Sequence, residues 1–169
     1  VQNYIWVHPN FPDLVLLSRQ DGIWRSGDGG RSFSPIDSGM HFNEVAWSSG
    51  SLILAATRKG MAYSLNGGRT WMQKSDGTED LDCKGLSWTG SYWLLATSDG
   101  IYRSQSGESW RRVANGLAGK EVEAIALDPS APGKGSGWAA SDSEVFRFEE
   151  NGNRVLRLSR QDILNVDTL

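Results

Sequence analysis

The octets SGDGGRSF at Ser26–Phe33 and SLNGGRTW at Ser64–Trp71 are near copies, and each follows a short apolar run, GIWR and GMAY. A chain that writes the same turn twice with the same flanks is repeating a supersecondary unit. The alignment extends outward: DGIWRSGDGGRSF, KGMAYSLNGGRTW, DGIYRSQSGESW and SEVFRFEENGNRV share a register anchored at Gly22, Gly60, Gly100 and Glu144, spaced by 38, 40 and 44 residues. Leu16, Leu54, Leu94 and Trp138 all stand six residues before the anchor, inside LVLLSR, LILAATR, WLLATS and GWAAS. Earlier runs (NYIWVHP, NEVAWSS, KGLSWTG, EAIALDP) and later ones (SFSPI, TWMQK, SWRRV, RVLRL) keep the same order.

Each unit is therefore four short runs of apolar, β-branched or aromatic residues divided by Gly, Asp, Asn or Pro. Period-two alternation at Ile5–Val7, Val45–Trp47 and Ile125–Leu127 fits half-buried strands, and no window carries a sustained helical stripe. Four strands repeating at about forty residues predict an all-β chain, a β-propeller of four-stranded antiparallel blades. The blades are placed at 1–40, 41–78, 79–117 and 118–161, with 162–169 as a tail or the start of a further blade. The first residue is Val1 rather than Met and the chain runs past the fourth blade, so part of a larger propeller is expected. The other arrangements are two chains closing one ring and a compact four-bladed ring.

The octets fit a lock on the hairpin between the third and fourth strands. A short carboxylate or amide accepts hydrogen bonds from backbone N–H groups of its own turn, and Gly30 and Gly68 suit positions of positive φ. The aromatic that closes each octet plugs the gap beside the neighbouring sheet. The pattern Ser-x-Asp-x-Gly-x-Thr-Trp resembles the Asp-box, or bacterial neuraminidase repeat. Ser26, Asp28, Gly30, Ser32 and Phe33 match with Ser for Thr and Phe for Trp, and Ser64, Asn66, Gly68, Thr70 and Trp71 match with Asn for Asp. The third copy is one residue short, keeping Gly107, Ser109 and Trp110 with Ser106 in place of the acid. The fourth keeps Glu150 and Gly152 alone. The resemblance spans nearly the whole chain, and it implies a structural role for these residues, one staple per blade.

The 17 Lys and Arg against 20 Asp and Glu, intermixed along the chain, provide no basic footprint for nucleic acid, and no run is apolar enough for direct membrane insertion. Cys83 is alone, which excludes an intrachain disulfide and a cysteine metal cluster. No cofactor and no metal are expected: the GDGG run opens no helix, and His8 and His41 lie apart in the repeat.

Sialidases carry the box, but their arginine before the first box lies in an Arg-Ile-Pro run, and no Arg-x-Pro occurs here. Xyloglucan-type glycoside hydrolases resemble this repeat too and use two opposed Asp residues. A glycosidase needs two carboxylates about 5–10 Å apart. The densest acidic stretch is DGTEDLD, with Asp76, Glu79, Asp80 and Asp82, on the link between the second and third blades. Its spacing misses the calcium-loop pattern. Arg25, Tyr63, Arg103 and Arg147 recur at one register of the third strand, placed to grip an acidic partner or to bridge blades.

These residues predict a non-catalytic binding or scaffold module that docks a protein partner or a larger complex, similar in repeat type to photosystem assembly-factor and sortilin-type propellers. A second chain completing the ring is a further expected partner. The alternative is a carbohydrate-active enzyme or carbohydrate-binding domain, with Trp47, Trp88 and Trp93 as sugar platforms. The resemblance implies an extracytoplasmic location.

Overall fold

The repeat register becomes four separate antiparallel sheets in a computed structural model, which describes residues 3–36, 39–48, 51–73, 76–113, 117–130, 135–149 and 154–157. For residues 154 and 155 it describes the backbone alone. The sheets are β1 (Tyr4–Val7), β2 (Val15–Arg19), β3 (Gly22–Ser26) and β4 (Ser34–Ile36); β5 (Phe42–Trp47), β6 (Ile53–Thr57), β7 (Gly60–Ser64) and β8 (Met72–Gln73); β9 (Cys83–Trp88), β10 (Trp93–Thr97), β11 (Gly100–Ser104) and β12 (Arg111–Arg112); β13 (Ala124–Leu127), β14 (Gly137–Ala140), β15 (Val145–Glu149) and β16 (Arg154–Arg157). Each sheet is a meander in chain order, the expected blade, and no helix occurs among the described residues.

The predicted register is the observed one. Leu16, Leu54, Leu94 and Trp138 pair across the second hairpin with Arg25, Tyr63, Arg103 and Arg147. Thr57 and Thr97 close that hairpin in two blades, each hydroxyl donating to the carbonyl of Gly60 or Gly100 at 2.8 and 2.9 Å. Gly100 is obligatory on two grounds. Its φ is +98°, and a Cβ there would lie 2.7 Å from the Leu117 carbonyl oxygen.

The chain divides into two compact units, Val1–Cys83 and Lys84–Leu169. In the first, Leu16 and Ile23 of blade 1 pack with Phe42, Val45, Ile53, Ala55 and Ala62 of blade 2, and Trp6, Leu14 and Trp71 lie against that core. In the second, Leu94, Ala96 and Ile101 of blade 3 pack with Ala139, Phe146 and Phe148 of blade 4, together with Leu117 and Val122 from the connecting segment. Cys83 is fully buried, and burial followed by the nearby Asp82 charge pushes its thiol up to about 12. It is a packing residue and not a nucleophile. The proposed tail at 162–169 lies outside the described residues.

Candidate functional site

Both leading octets form the same turn. In the first, the Ser26 hydroxyl oxygen accepts from the backbone N–H groups of Gly30 (2.9 Å) and Asp28 (3.2 Å) and donates to Asp28 Oδ1 (2.7 Å). Asp28 Oδ1 also accepts from the Ser32 N–H at 2.9 Å, and Oδ2 from the Ser32 hydroxyl at 2.5 Å. The Ser32 hydroxyl, then the Ser26 hydroxyl, hold the Asp28 carboxyl well below the usual carboxylate range. Gly30 has φ +83°, and the Phe33 ring packs beside it. In the second octet, Asn66 Oδ1 accepts from Thr70 N–H and Arg69 N–H, and Nδ2 donates to the Thr70 hydroxyl at 2.8 Å. Ser64 Oγ accepts from Gly68 N–H at 2.9 Å. Trp71 Nε1 donates to the Gly68 carbonyl at 3.1 Å, a bond Phe33 lacks the donor to make.

The shortened third turn keeps half of this. Ser104 Oγ accepts from Gly107 N–H at 2.8 Å, and the buried Trp110 donates to the Gly107 carbonyl at 3.2 Å. Ser106 accepts from Glu108 N–H at 3.2 Å, and Ser109 is exposed. Glu150 and Gly152 of the fourth copy lie outside the described residues.

The residues at the ladder register have different fates. Arg25 Nε donates to the Gly67 carbonyl at 2.6 Å, fastening blade 1 to the octet turn of blade 2. The Tyr63 hydroxyl meets Met72 Sδ at 3.7 Å. Arg103 lies over the ring of Tyr92 at 5.6 Å, and Arg147 reaches Glu149 at 3.6 Å.

The acidic stretch is a tight turn. Glu79 accepts from Gly77 N–H with both carboxylate oxygens, at 3.1 and 3.0 Å. Asp80 takes a positive φ of 61°, Thr78 is fully buried, and Asp76 is exposed. Asn43 Nδ2 donates to Asp82 Oδ1 at 3.0 Å and to the Cys83 carbonyl at 2.8 Å, tying the turn to β5. Two of the four carboxylates thus hold the chain's own backbone and side chains. Among the described residues no three His, Cys, Asp or Glu side chains converge as a metal site would require.

His8, in the link between β1 and β2, lines a cleft that the repeat pattern does not reveal. Its side chain is buried, with Nδ1 accepting from Asn10 N–H (3.1 Å) and Phe11 N–H (3.2 Å), and its ring packs on Trp47 (4.6 Å) and Phe11 (4.8 Å). This pins the link between β1 and β2 so that Phe11 stays 64% exposed. The result is a cleft of about 570 Å³ between blades 1 and 2, walled by His8, Phe11, Leu14 and Ile53 with Asn10 and Ser51 at its polar margin. The sequence signal was the aromatic pair in HPNF facing the end of NEVAWSS, two runs the repeat itself places on adjacent blades. Trp47 is half-buried under His8, and Trp93 is buried beside the exposed Trp88 at 4.8 Å.

No family model matches this chain, and no curated protein does. Solved structures do. An ancestral GH74 enzyme aligns with TM-score 0.78 and 17% identity over 95% of this chain and 24% of its own. The extracellular domain of a hybrid two-component system from B. thetaiotaomicron aligns with TM-score 0.73 and 12% identity, over 92% of this chain and 21% of its own. YCF48 from Cyanidioschyzon merolae aligns with TM-score 0.63 and 16% identity, over 92% and 55%, and YCF48 bound to D1 peptide aligns with TM-score 0.59 and 19% identity, over 95% and 60%. The chain thus spans about a quarter of the first two proteins and little more than half of YCF48. At these identities the likeness establishes the fold, four blades of a β-propeller, and a fold of this kind does not fix a function. The neighbours include an extracellular domain, and among the described residues no helix is long and apolar enough to cross a membrane.

Proposed function

We propose that the chain is a non-catalytic propeller module that binds a protein partner through a short extended segment, outside the cytoplasm, and that its octets are Asp-boxes acting as hairpin staples. The observation that carries this reading is the cleft between blades 1 and 2. It is apolar at its walls and polar at its margin, and the exposed Phe11 ring is held by His8 rather than left to collapse. Such a recess takes one apolar side chain of a peptide while Asn10 and Ser51 meet its backbone. That YCF48 is seen with a peptide supports the comparison at the level of the fold. Arg103, Arg147, Tyr63 and the acids Asp76, Glu79 and Asp80 are proposed as further partner contacts. Arg25 and Asp82 serve the fold.

The glycoside-hydrolase alternative rests on the GH74 likeness. Against it, Asp82 is held by Asn43 and Glu79 by Gly77, which leaves neither placed as a mobile acid or base. A display library of extended peptides, run beside xyloglucan hydrolysis and a glycan array, separates the two. Peptide capture that falls about tenfold in Phe11→Ser, the order of loss for one interface anchor, supports the binding module. Hydrolysis abolished by Asp80→Asn or Asp82→Asn overturns it.

A further inference from the structure

His8, Ser48, Thr89 and Asp128 stand at one register of the repeat, the residue after the first strand of each blade. Each donates its backbone N–H to the carbonyl of the residue just before the second strand: Leu14, Leu52, Tyr92 and Ser136. At His8, Thr89 and Asp128 the side chain also accepts from backbone N–H groups of the link it opens. Thr89 Oγ1 takes those of Ser91 (3.3 Å) and Tyr92 (3.1 Å), and Asp128 Oδ1 takes that of Ser130 (2.9 Å). His8 Nδ1 takes those of Asn10 and Phe11.

The three acceptors respond differently to acid. A threonine hydroxyl has no charge to gain. The Asp128 carboxyl is held below its usual range, chiefly by the Ser130 hydroxyl, so it still accepts in mild acid. An imidazole accepts at Nδ1 only while its single proton sits on Nε2, and a second proton makes Nδ1 a donor facing two donors. Blade 1 therefore assigns this task to the side chain type that ordinarily changes charge between about pH 5 and 8.

Nothing described around the ring offsets that added charge. The imidazole is buried against Trp47 and Phe11, and the residues lining the cleft with it do not titrate. Charged groups on the elements packed here are engaged elsewhere. Asp13 Oδ1 lies beside Gly29, Arg25 donates to the Gly67 carbonyl, and Arg69 donates to the Asn66 carbonyl. Glu44 on β5 accepts from Trp6 Nε1, and burial raises its carboxyl. His41 is exposed, before the end of β5 opposite to Trp47.

We propose that His8 is an acid-released latch on the cleft: unprotonated at Nδ1 it holds the link at residues 8–14 with its Phe11 wall, and protonation frees both. The link is held at neutral pH and above and let go as pH falls. As regulation of binding the latch rests on the peptide reading of the cleft, whereas the release of the link does not.

Amide exchange followed by NMR from pH 8 to pH 5, expressed as protection factors, tests it without any ligand. Protection at Asn10 and Phe11 should fall about tenfold or more, in step with the His8 ring resonances, while Ser91 and Tyr92 hold theirs. His8→Asn, with a side-chain oxygen that takes the place of Nδ1 and does not titrate, should keep both amides protected throughout. His8→Thr, copying Thr89, repeats that arm should His8→Asn fail to fold by circular dichroism. Glu44→Gln should show the wild-type fall. Wild-type amides unmoved across the range overturn the proposal, as does a fall that persists in His8→Asn or one that Glu44→Gln removes. The display of extended peptides, repeated at both pH values, keeps the two readings apart. Amide release with no peptide captured at either pH supports the latch and counts against the peptide reading alone, whereas equal capture at both overturns the latch.

Discussion

In the first unit, Arg25 reaches from blade 1 to the octet turn of blade 2 and Trp6 Nε1 donates to Glu44 at 3.1 Å, across a seam of Leu16, Ile23, Val45 and Ala55. In the second, Arg103 at the register of Arg25 lies over Tyr92 of its own blade, and the link between blades does the fastening. Val122 N–H donates to the Thr97 carbonyl at 2.9 Å and Glu123 N–H to the Ala140 carbonyl at 2.7 Å, so one strand of link is hydrogen-bonded to both blades. Charges surround it: Lys84 pairs with Glu121 (2.5 Å) and Glu123 (2.7 Å), and Glu144 with Lys120 (2.7 Å) and Arg157 (2.8 Å). Asp99 accepts from Gly119 N–H, the Tyr102 hydroxyl and Arg112. The apolar seam is common to both units. Among the described residues the first unit adds a side chain fastened to an octet turn, and the second adds a link hydrogen-bonded to both blades.

If the seam dominates, Leu16→Ala should have the largest effect. Leu16 is fully buried, and a Cβ on Gly68 would come within 3.1 Å of its Cδ2, so the space it leaves cannot close without moving the octet turn. A loss of about 2–5 kcal/mol is expected. Urea unfolding with hydrogen exchange read separately in each unit would show the loss in residues 3–83, with residues 84–157 unmoved. An equal loss in both units would break the comparison.

Arg25→Ala comes next. It removes a charged donor from the Gly67 carbonyl, worth about 1–2 kcal/mol for a half-exposed side chain, whereas Arg103→Ala should cost distinctly less. Equal costs would mean that the arginine register serves both units alike.

The octets themselves offer a finer test. Asp28→Asn should leave the thermal midpoint nearly unchanged, because Asn66 already makes the same bonds one repeat later. Asp28→Ala should lower it by several degrees. Asp28 is held below its ordinary range chiefly by the Ser32 and Ser26 hydroxyls, so its contribution is present above the usual carboxylate range and is lost as pH falls through its depressed folded value. An acid titration of wild type against Asp28→Asn should show that loss in the wild type and not in the amide variant.

The smallest effect is expected at Lys84. Burial works against its charge, but the hydrogen bonds that Lys84 donates to Glu121 and Glu123 outweigh that and hold the ammonium above its usual range, while Lys84 in turn depresses Glu121. Both carboxylates are well exposed, with 52% and 38% of their side chains accessible. Lys84→Met should therefore shift the midpoint of the second unit by no more than about 4 °C, with the difference shrinking in salt. The sign with acid is the same as for Asp28: the Glu121 contribution fades as pH falls, and Lys84→Met abolishes that dependence. A larger, salt-insensitive fall would make charge the main fastening of the second unit.

The repeat carried most of the fold into view. Strand positions, the pairing of Leu16 with Arg25 and its equivalents, and the positive φ at Gly30 and Gly68 follow from local turn chemistry, which eight letters are enough to encode. The site was less legible. Arg25 and Arg103 share a register, yet one reaches the Gly67 carbonyl and the other lies over the Tyr92 ring, a difference the repeat does not encode. His8 reads as loop from its flanking Pro9, while its burial against Trp47 comes from a residue 39 positions away. The sequence by itself determined the blade: period-two strands, their order, and the octet that clamps the outer hairpin, all set by contacts between neighbouring strands of one repeat. The tertiary structure decided what the blade faces within each unit meet, the cleft beside Phe11 included. Burial is a property of neighbours brought together from distant parts of the chain, and no local pattern records it.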